Sequence, residues 1–260
     1  MNKRTTSASL LALKQSAHKA VWLTAYDAIS TQLAEAAGVD VILVGDSLGM
    51  VCLGYPSTVA VTLEQMIHHT QAVVRARSRA WVVCDLPFGT YQHSPEQAFE
   101  NSVKVIQSTG CDAVKLEGGA IMVETVRFLS DRGIAVVGHL GLLPQSINQT
   151  GRYRQHGINP QEAEQLLTDA QALAEAGAAA IVLECIPALL ANRITQAIDI
   201  PTVGIGAGDG CDAQVLVWHD LLGLSEKNPS FAPTYLPLRQ SITDAIGQWA
   251  ADVRQSRVRK

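Results

Sequence analysis

The sequence predicts a closed (β/α)8 barrel of the TIM type, and three observations predict it. The chain has 260 residues, a length that single α/β barrels routinely use. Eight short apolar runs alternate with longer stretches whose apolar residues recur at helical spacing. Successive runs also end in an ionisable residue at the same relative position, as they would around one barrel mouth.

In chain order the strand candidates are residues 21–25, 41–44, 81–84, 113–116, 135–138, 180–183, 202–205 and 220–224. The helix candidates between them are 28–37, 62–77, 95–109, 122–132, 161–176, 188–197 and 211–217, with a C-terminal helix over 236–254. An open doubly wound sheet shares this rhythm, because periodicity does not see closure, but eight strand–helix units favour the barrel. One domain over 1–260 is expected.

Local signals agree with the helix starts. Thr62 and Ser94 each precede a Gln by three residues, the spacing of a capping box. Pro95 and Pro160 stand at first helical positions, where a missing N–H costs little. Gly38 and Gly110 follow helices at points where the chain must turn into a strand. Two connections, 47–61 and 140–159, are longer than a barrel needs, and both follow the C-terminal ends of strands. The second is polar, with Gln145, Ser146, Asn148, Gln149, Arg152, Tyr153 and Arg154.

Composition narrows the functional classes. A 47% hydrophobic, 17% charged chain has the makings of a globular core. Its net charge of −4 and 5% aromatic content give no electrostatic or stacking case for nucleic acid or anionic lipid. No apolar run approaches the ~18 residues of a membrane span, and Lys14 and Gln15 interrupt the only early apolar segment, so no secretory signal is expected. Five cysteines without a C-x-x-C pair fit reduced thiols and a cytoplasmic location.

The strand ends carry the chemistry. Asp46 and Ser47 follow the second run and Asp85 the third. Lys115 and Glu117 lie at the fourth, His139 at the fifth and Glu184 at the sixth. Each has a plain structural reading: a strand-end Asp caps a helix, Lys115 pairs with Glu117, and His139 bonds backbone in the core. Five consecutive units are more than capping requires. Carboxylates converging on one mouth repel unless a cation neutralises them, and Asp46, Asp85 and Glu117 are hard oxygen donors suited to Mg²⁺. Such a cation polarises a bound carbonyl, and Glu184 is the carboxylate left to move a proton. Cys84 and Cys185, beside Asp85 and Glu184, should point to the opposite face. The glycines of Gly204-Ile-Gly-Ala-Gly208 offer an anion cradle, without the P-loop lysine. His68 and His69 are adjacent on a predicted helix and diverge by ~100°, so they cannot chelate together.

Several ordered segments carry a resemblance to a known family. They are Thr24-Ala-Tyr-Asp27, Val44-Gly-Asp-Ser-Leu-Gly-Met50, Asp85-Leu-Pro-Phe88, Ser94-Pro-Glu-Gln-Ala-Phe-Glu-Asn101 and Val114-Lys-Leu-Glu-Gly-Gly119. Gly138-His-Leu-Gly-Leu142, Pro144-Gln-Ser146, Leu183-Glu-Cys185 and Gly204-Ile-Gly-Ala-Gly208 complete the set. Over about 22–222 the chain resembles the ketopantoate hydroxymethyltransferases. The resemblance implies a (β/α)8 barrel that passes a hydroxymethyl group from 5,10-methylenetetrahydrofolate to the 2-oxo acid 3-methyl-2-oxobutanoate, giving 2-dehydropantoate for pantothenate biosynthesis. It implies Mg²⁺ on Asp46 and Asp85 with Glu117 as the third metal-site acid. Substrate would meet Asp46, Ser47, Asp85 and Lys115, Glu184 would be the proton acceptor, and His139 would line the pocket. It also implies a cytoplasmic homodecamer. Two stretches depart from the family pattern, Thr150-Gly-Arg-Tyr-Arg-Gln-His-Gly157 and Asn228-Pro-Ser-Phe-Ala232. The alternatives are a carbon–carbon lyase or mutase barrel that uses a Mg²⁺ enolate without folate, and a barrel that binds ligand without turnover.

Overall fold

The computed structural model describes residues 4–16 and 18–257. They fall into two compact units, Met1–Val215 and Leu216–Lys260. Eight strands form a closed barrel in sequence order: β1 Ala20–Thr24, β2 Val41–Val44, β3 Trp81–Asp85, β4 Ala113–Lys115, β5 Ala135–Gly141, β6 Ala180–Glu184, β7 Thr202–Ile205 and β8 Ala213–Leu216. Each of β1 to β7 pairs in parallel with the next. The fold is the (β/α)8 barrel that the sequence predicts.

The helices of the first unit are α1 Ser7–Gln15, α2 Ala28–Ala36, α3 Leu48–Val51, α4 Leu63–Ala76, α5 Pro95–Thr109, α6 Val123–Ser130, α7 Ile147–Thr150, α8 Pro160–Glu175 and α9 Ala188–Ala197. Their ends show the expected chemistry. Thr62 and Gln65 form a reciprocal capping box. Ser94 caps the Gln97 N–H, but the Gln97 side chain takes the His93 N–H instead, so that box is half formed. Gly110 ends α5 with φ +73, a conformation costly for a residue with a Cβ. The second unit holds α10 Trp218–Leu221 and α11 Leu238–Arg254.

Two elements differ from the sequence reading. The eighth strand is Ala213–Leu216, inside the stretch 211–217 expected to be helical, and the expected strand 220–224 begins within the helical turn α10. A four-residue run such as Ala-Gln-Val-Leu has too few periods to separate helix from strand. Its closure is tertiary, with Ala20 N–H bonded to the Asp212 carbonyl. Helix α1 had no predicted counterpart; Thr6 caps it, and its Leu10 joins the apolar cluster inside the barrel.

That cluster explains the position of the site. Side chains alternate along each strand, and one parity places Ala20, Trp22, Val41, Leu43, Trp81, Val83, Ala113, Val137, Ala180 and Val182 together in the core. Continuing the same parity toward the C-terminal ends reaches Asp85, Lys115, His139 and Glu184. The lower layers are apolar and the uppermost one is charged. Cys84, of opposite parity, is buried and accepts from the hydroxyl of Thr70 on α4. Among the described residues, no helix is long and apolar enough to cross a membrane.

Candidate active site

Six of the seven residues singled out in the sequence form one connected network. Asp46 N–H donates to Asp85 Oδ2 at 3.0 Å. Asp85 Oδ1 lies 3.2 Å from Lys115 Nζ, across a register pair of β3 and β4. Lys115 Nζ is 3.3 Å from His139 Nδ1. The His139 ring then bridges two acids: Nδ1 is 3.5 Å from Glu117 Oε1, and Nε2 is 3.1 Å from Glu184 Oε2. Lys115 therefore pairs with Asp85 and not with Glu117. Ser47, the seventh, has its hydroxyl 3.0 Å from the Tyr26 phenol.

Asp46, Asp85, Lys115, Glu117 and His139 are all buried, whereas the Glu184 side chain keeps 15% of its surface exposed. Burial, then the charges of Asp85 and Glu117, push the Asp46 carboxyl up to about 8. Burial likewise raises Asp85, with the Lys115 ammonium opposing it. Burial favours a neutral Lys115, but Asp85, Glu117 and Asp46 outweigh it and hold the ammonium charged well above its ordinary range. For His139, burial and Lys115 pull downward, yet the adjacent Glu117 and Glu184 carboxylates prevail and raise the imidazole to about 9.

Three residues that sequence reasoning did not assign support this network. Gln145 bonds Asp46, Glu117, Leu86, Tyr91 and Gln92. Tyr91 donates to Gln145 Oε1 and accepts the Glu117 N–H. Tyr26 holds Ser47. Gln145 had a signal, lying in the long polar connection after β5; Tyr91, in the turn before α5, had none. The same connection reaches the mouth again at 153–156. Burial, then the charges of Glu184, Asp46 and Glu117, raise the Tyr153 phenol. His156 N–H donates to the Cys185 carbonyl.

Cys185, directly after Glu184, is a non-glycine residue with φ +51. Such strain persists where surrounding structure over-determines it. Here Cys185 N–H is bonded to the Ile205 carbonyl and its own carbonyl to His156. Gly141 allows this close approach: a Cβ there would overlap the Glu184 carbonyl and come 2.8 Å from Ile186 Cγ2.

A closed parallel barrel whose mouth holds buried carboxylates, a charged lysine and a histidine–glutamate pair is a barrel enzyme. Residues 4–258 match the family model described as ketopantoate hydroxymethyltransferase. The chain belongs to this family and is a hydroxymethyltransferase. It is similar to the 3-methyl-2-oxobutanoate hydroxymethyltransferase of Synechocystis sp., with 56% identity over 251 residues, 96% of either chain. The protein of the same name from Moorella thermoacetica is 52% identical over 255 residues, covering 98% of this chain and 95% of that one. Among solved structures, phosphonopyruvate hydrolase superposes with a TM-score of 0.65 at 14% identity, covering 98% of this chain and 89% of that one. For 2,3-dimethylmalate lyase the score is 0.59 at 16% identity, covering 96% and 87%. These two likenesses concern the fold alone.

Proposed function

We propose that the enzyme transfers a hydroxymethyl group from 5,10-methylenetetrahydrofolate to 3-methyl-2-oxobutanoate, giving 2-dehydropantoate. The names of relatives 50–56% identical to this chain support the reaction. The observation that carries the mechanism is the separation of acids: Asp46 and Asp85 pair at the buried floor, while the less buried Glu184 stands apart on the His139 ring.

The donor set fits a hard divalent cation such as Mg²⁺. Asp85 Oδ1 is buried and makes no hydrogen bond of good geometry, and Asp46, beside it, is also buried. Among the described residues, no three His, Cys, Asp or Glu side chains converge as a ready-made metal cluster. Mg²⁺ commonly takes one or two carboxylates and fills its other positions with water or substrate oxygens. Asp46 and Asp85 would hold it directly, and Glu117, which accepts the Gln145 N–H, would act through water. When bound, the cation would supply electrophilic stabilisation to the negative charge that develops on the oxo acid.

The protein groups then have distinct tasks. Lys115, held charged, and the Ser47 hydroxyl, held by Tyr26, bind and orient the oxo acid. Glu184, whose Oε2 lies 3.1 Å from His139 Nε2, accepts the proton from C3. The carbon–hydrogen electron pair forms the new bond from C3 to the methylene carbon as one of that carbon's two folate C–N bonds breaks; water supplies the hydroxyl as the second breaks, and the two folate nitrogens take up one proton from C3 and one from water. Lys115 is a poor Schiff-base nucleophile, because that role needs a neutral amine. Incubation with the oxo acid and 5,10-methylenetetrahydrofolate should yield 2-dehydropantoate by mass spectrometry. Consumption of the oxo acid without any folate-dependent product would overturn the assignment.

A further inference from the structure

Gln145 is the most connected side chain in the site. The Leu86 carbonyl, 2.9 Å away, can only accept, so the atom facing it is Nε2. The same Nε2 donates to Asp46 Oδ2 at 2.9 Å. On the other side, Oε1 accepts from the Tyr91 hydroxyl at 2.6 Å and from Gln92 Nε2 at 3.1 Å. Gln92 is oriented in turn, since its Oε1 accepts the Gly89 N–H at 2.8 Å. Every polar atom of the buried Gln145 amide is therefore satisfied in one orientation. Its backbone N–H also holds Glu117 Oε2 at 3.1 Å, and the Tyr91 hydroxyl takes the Glu117 N–H at 3.1 Å.

This network divides the oxygens of the two aspartates. Asp46 Oδ2 is tied to Gln145 and Asp85 Oδ2 to the Asp46 N–H. Asp85 Oδ1 makes no hydrogen bond of good geometry and faces the Lys115 ammonium at 3.2 Å. A reversed amide would set Oε1 against a carboxylate and a carbonyl, two acceptors facing a third.

We infer that Gln145 is a positioning residue for the cation: it fixes Asp46 so that one carboxylate oxygen is presented for coordination, and Tyr91 locks the Gln145 amide in the orientation that does so. The inference rests on the cation reading above. Loss of a hydrogen-bond partner behind a metal ligand typically weakens affinity by ~10–100-fold.

The test is Mn²⁺ binding to the full chain without substrate, followed by the EPR signal of free Mn²⁺, with Asp85→Asn as the reference for a damaged site. Gln145→Met should weaken binding by about tenfold or more, and Tyr91→Phe by a smaller factor. At saturating Mn²⁺, the rate of oxo-acid proton exchange in Gln145→Met should return close to that of the parent, which a merely structural defect would not allow. Parent-like affinity in both variants overturns the role of Gln145 while leaving the cation site standing. Failure of the parent itself to bind Mn²⁺ overturns the cation reading and this inference with it. If Gln145→Met does not fold, Tyr91→Phe decides: weakened binding supports the lock and unchanged affinity overturns it.

Discussion

His139 Nε2 lies 3.1 Å from Glu184 Oε2, a close ion-pair contact that is not an aligned hydrogen bond. The opposite edge of the His139 ring faces Glu117 and Lys115, which links Glu184, the proposed base, to the buried acids at the barrel mouth. Glu184→Gln keeps shape and hydrogen bonding but cannot accept the C3 proton. Turnover should fall by at least ~100-fold, while calorimetric binding of the oxo acid persists. A variant turning over at the parent rate would assign the base elsewhere.

The histidine also sets a pH dependence. Its imidazole is raised from 6.5 to about 9 in the folded protein. Folding therefore favours the protonated ring, and that stabilisation is fully present below pH ~6.5 and lost as pH rises through about 9. Denaturant titrations of the parent should lose stability over this interval, and His139→Gln should flatten the loss. NMR titration of the ring gives the same answer directly; a midpoint near 6.5 would remove the basis for this slope.

Lys115 separates two chemistries. Three acids hold it protonated, so borohydride added with the oxo acid should leave its mass unchanged. A reduced adduct on Lys115 would show a Schiff-base route. Lys115→Met should raise the KM for the oxo acid and leave Asp85 Oδ1 without its cationic neighbour.

Gly141 is the structural hinge of the base. A side chain there meets the Glu184 carbonyl at a backbone position with φ +94. Gly141→Ala should cost about 2 kcal/mol or more in urea unfolding and slow turnover as Glu184 shifts. A variant as stable and active as the parent would show that β5 and β6 have slack at the mouth.

Much of this architecture was legible in the chain because barrel geometry converts a one-dimensional rule into a three-dimensional one. Residues at equivalent strand ends become neighbours, which is why Asp46, Asp85, Lys115, Glu117, His139 and Glu184 could be grouped without coordinates. Period-2 alternation also placed Cys84 on the helix side. Gln145 and Tyr91 could not be grouped this way: they lie in connections, where no periodicity fixes direction, and their roles come from hydrogen bonds across 54 positions of sequence. The eighth strand was missed for a related reason. Ala213–Leu216 is defined by the edges it pairs with more than by its own composition.

The carbanion at C3 is tested most directly by NMR of 3-methyl-2-oxobutanoate in D₂O with the enzyme and Mg²⁺, and no folate. Deuterium should replace the C3 proton, and Glu184→Gln should abolish the replacement. A folded, metal-supplied parent that leaves C3 fully protonated, yet forms product once folate is added, would contradict proton removal by Glu184 as an independent first step.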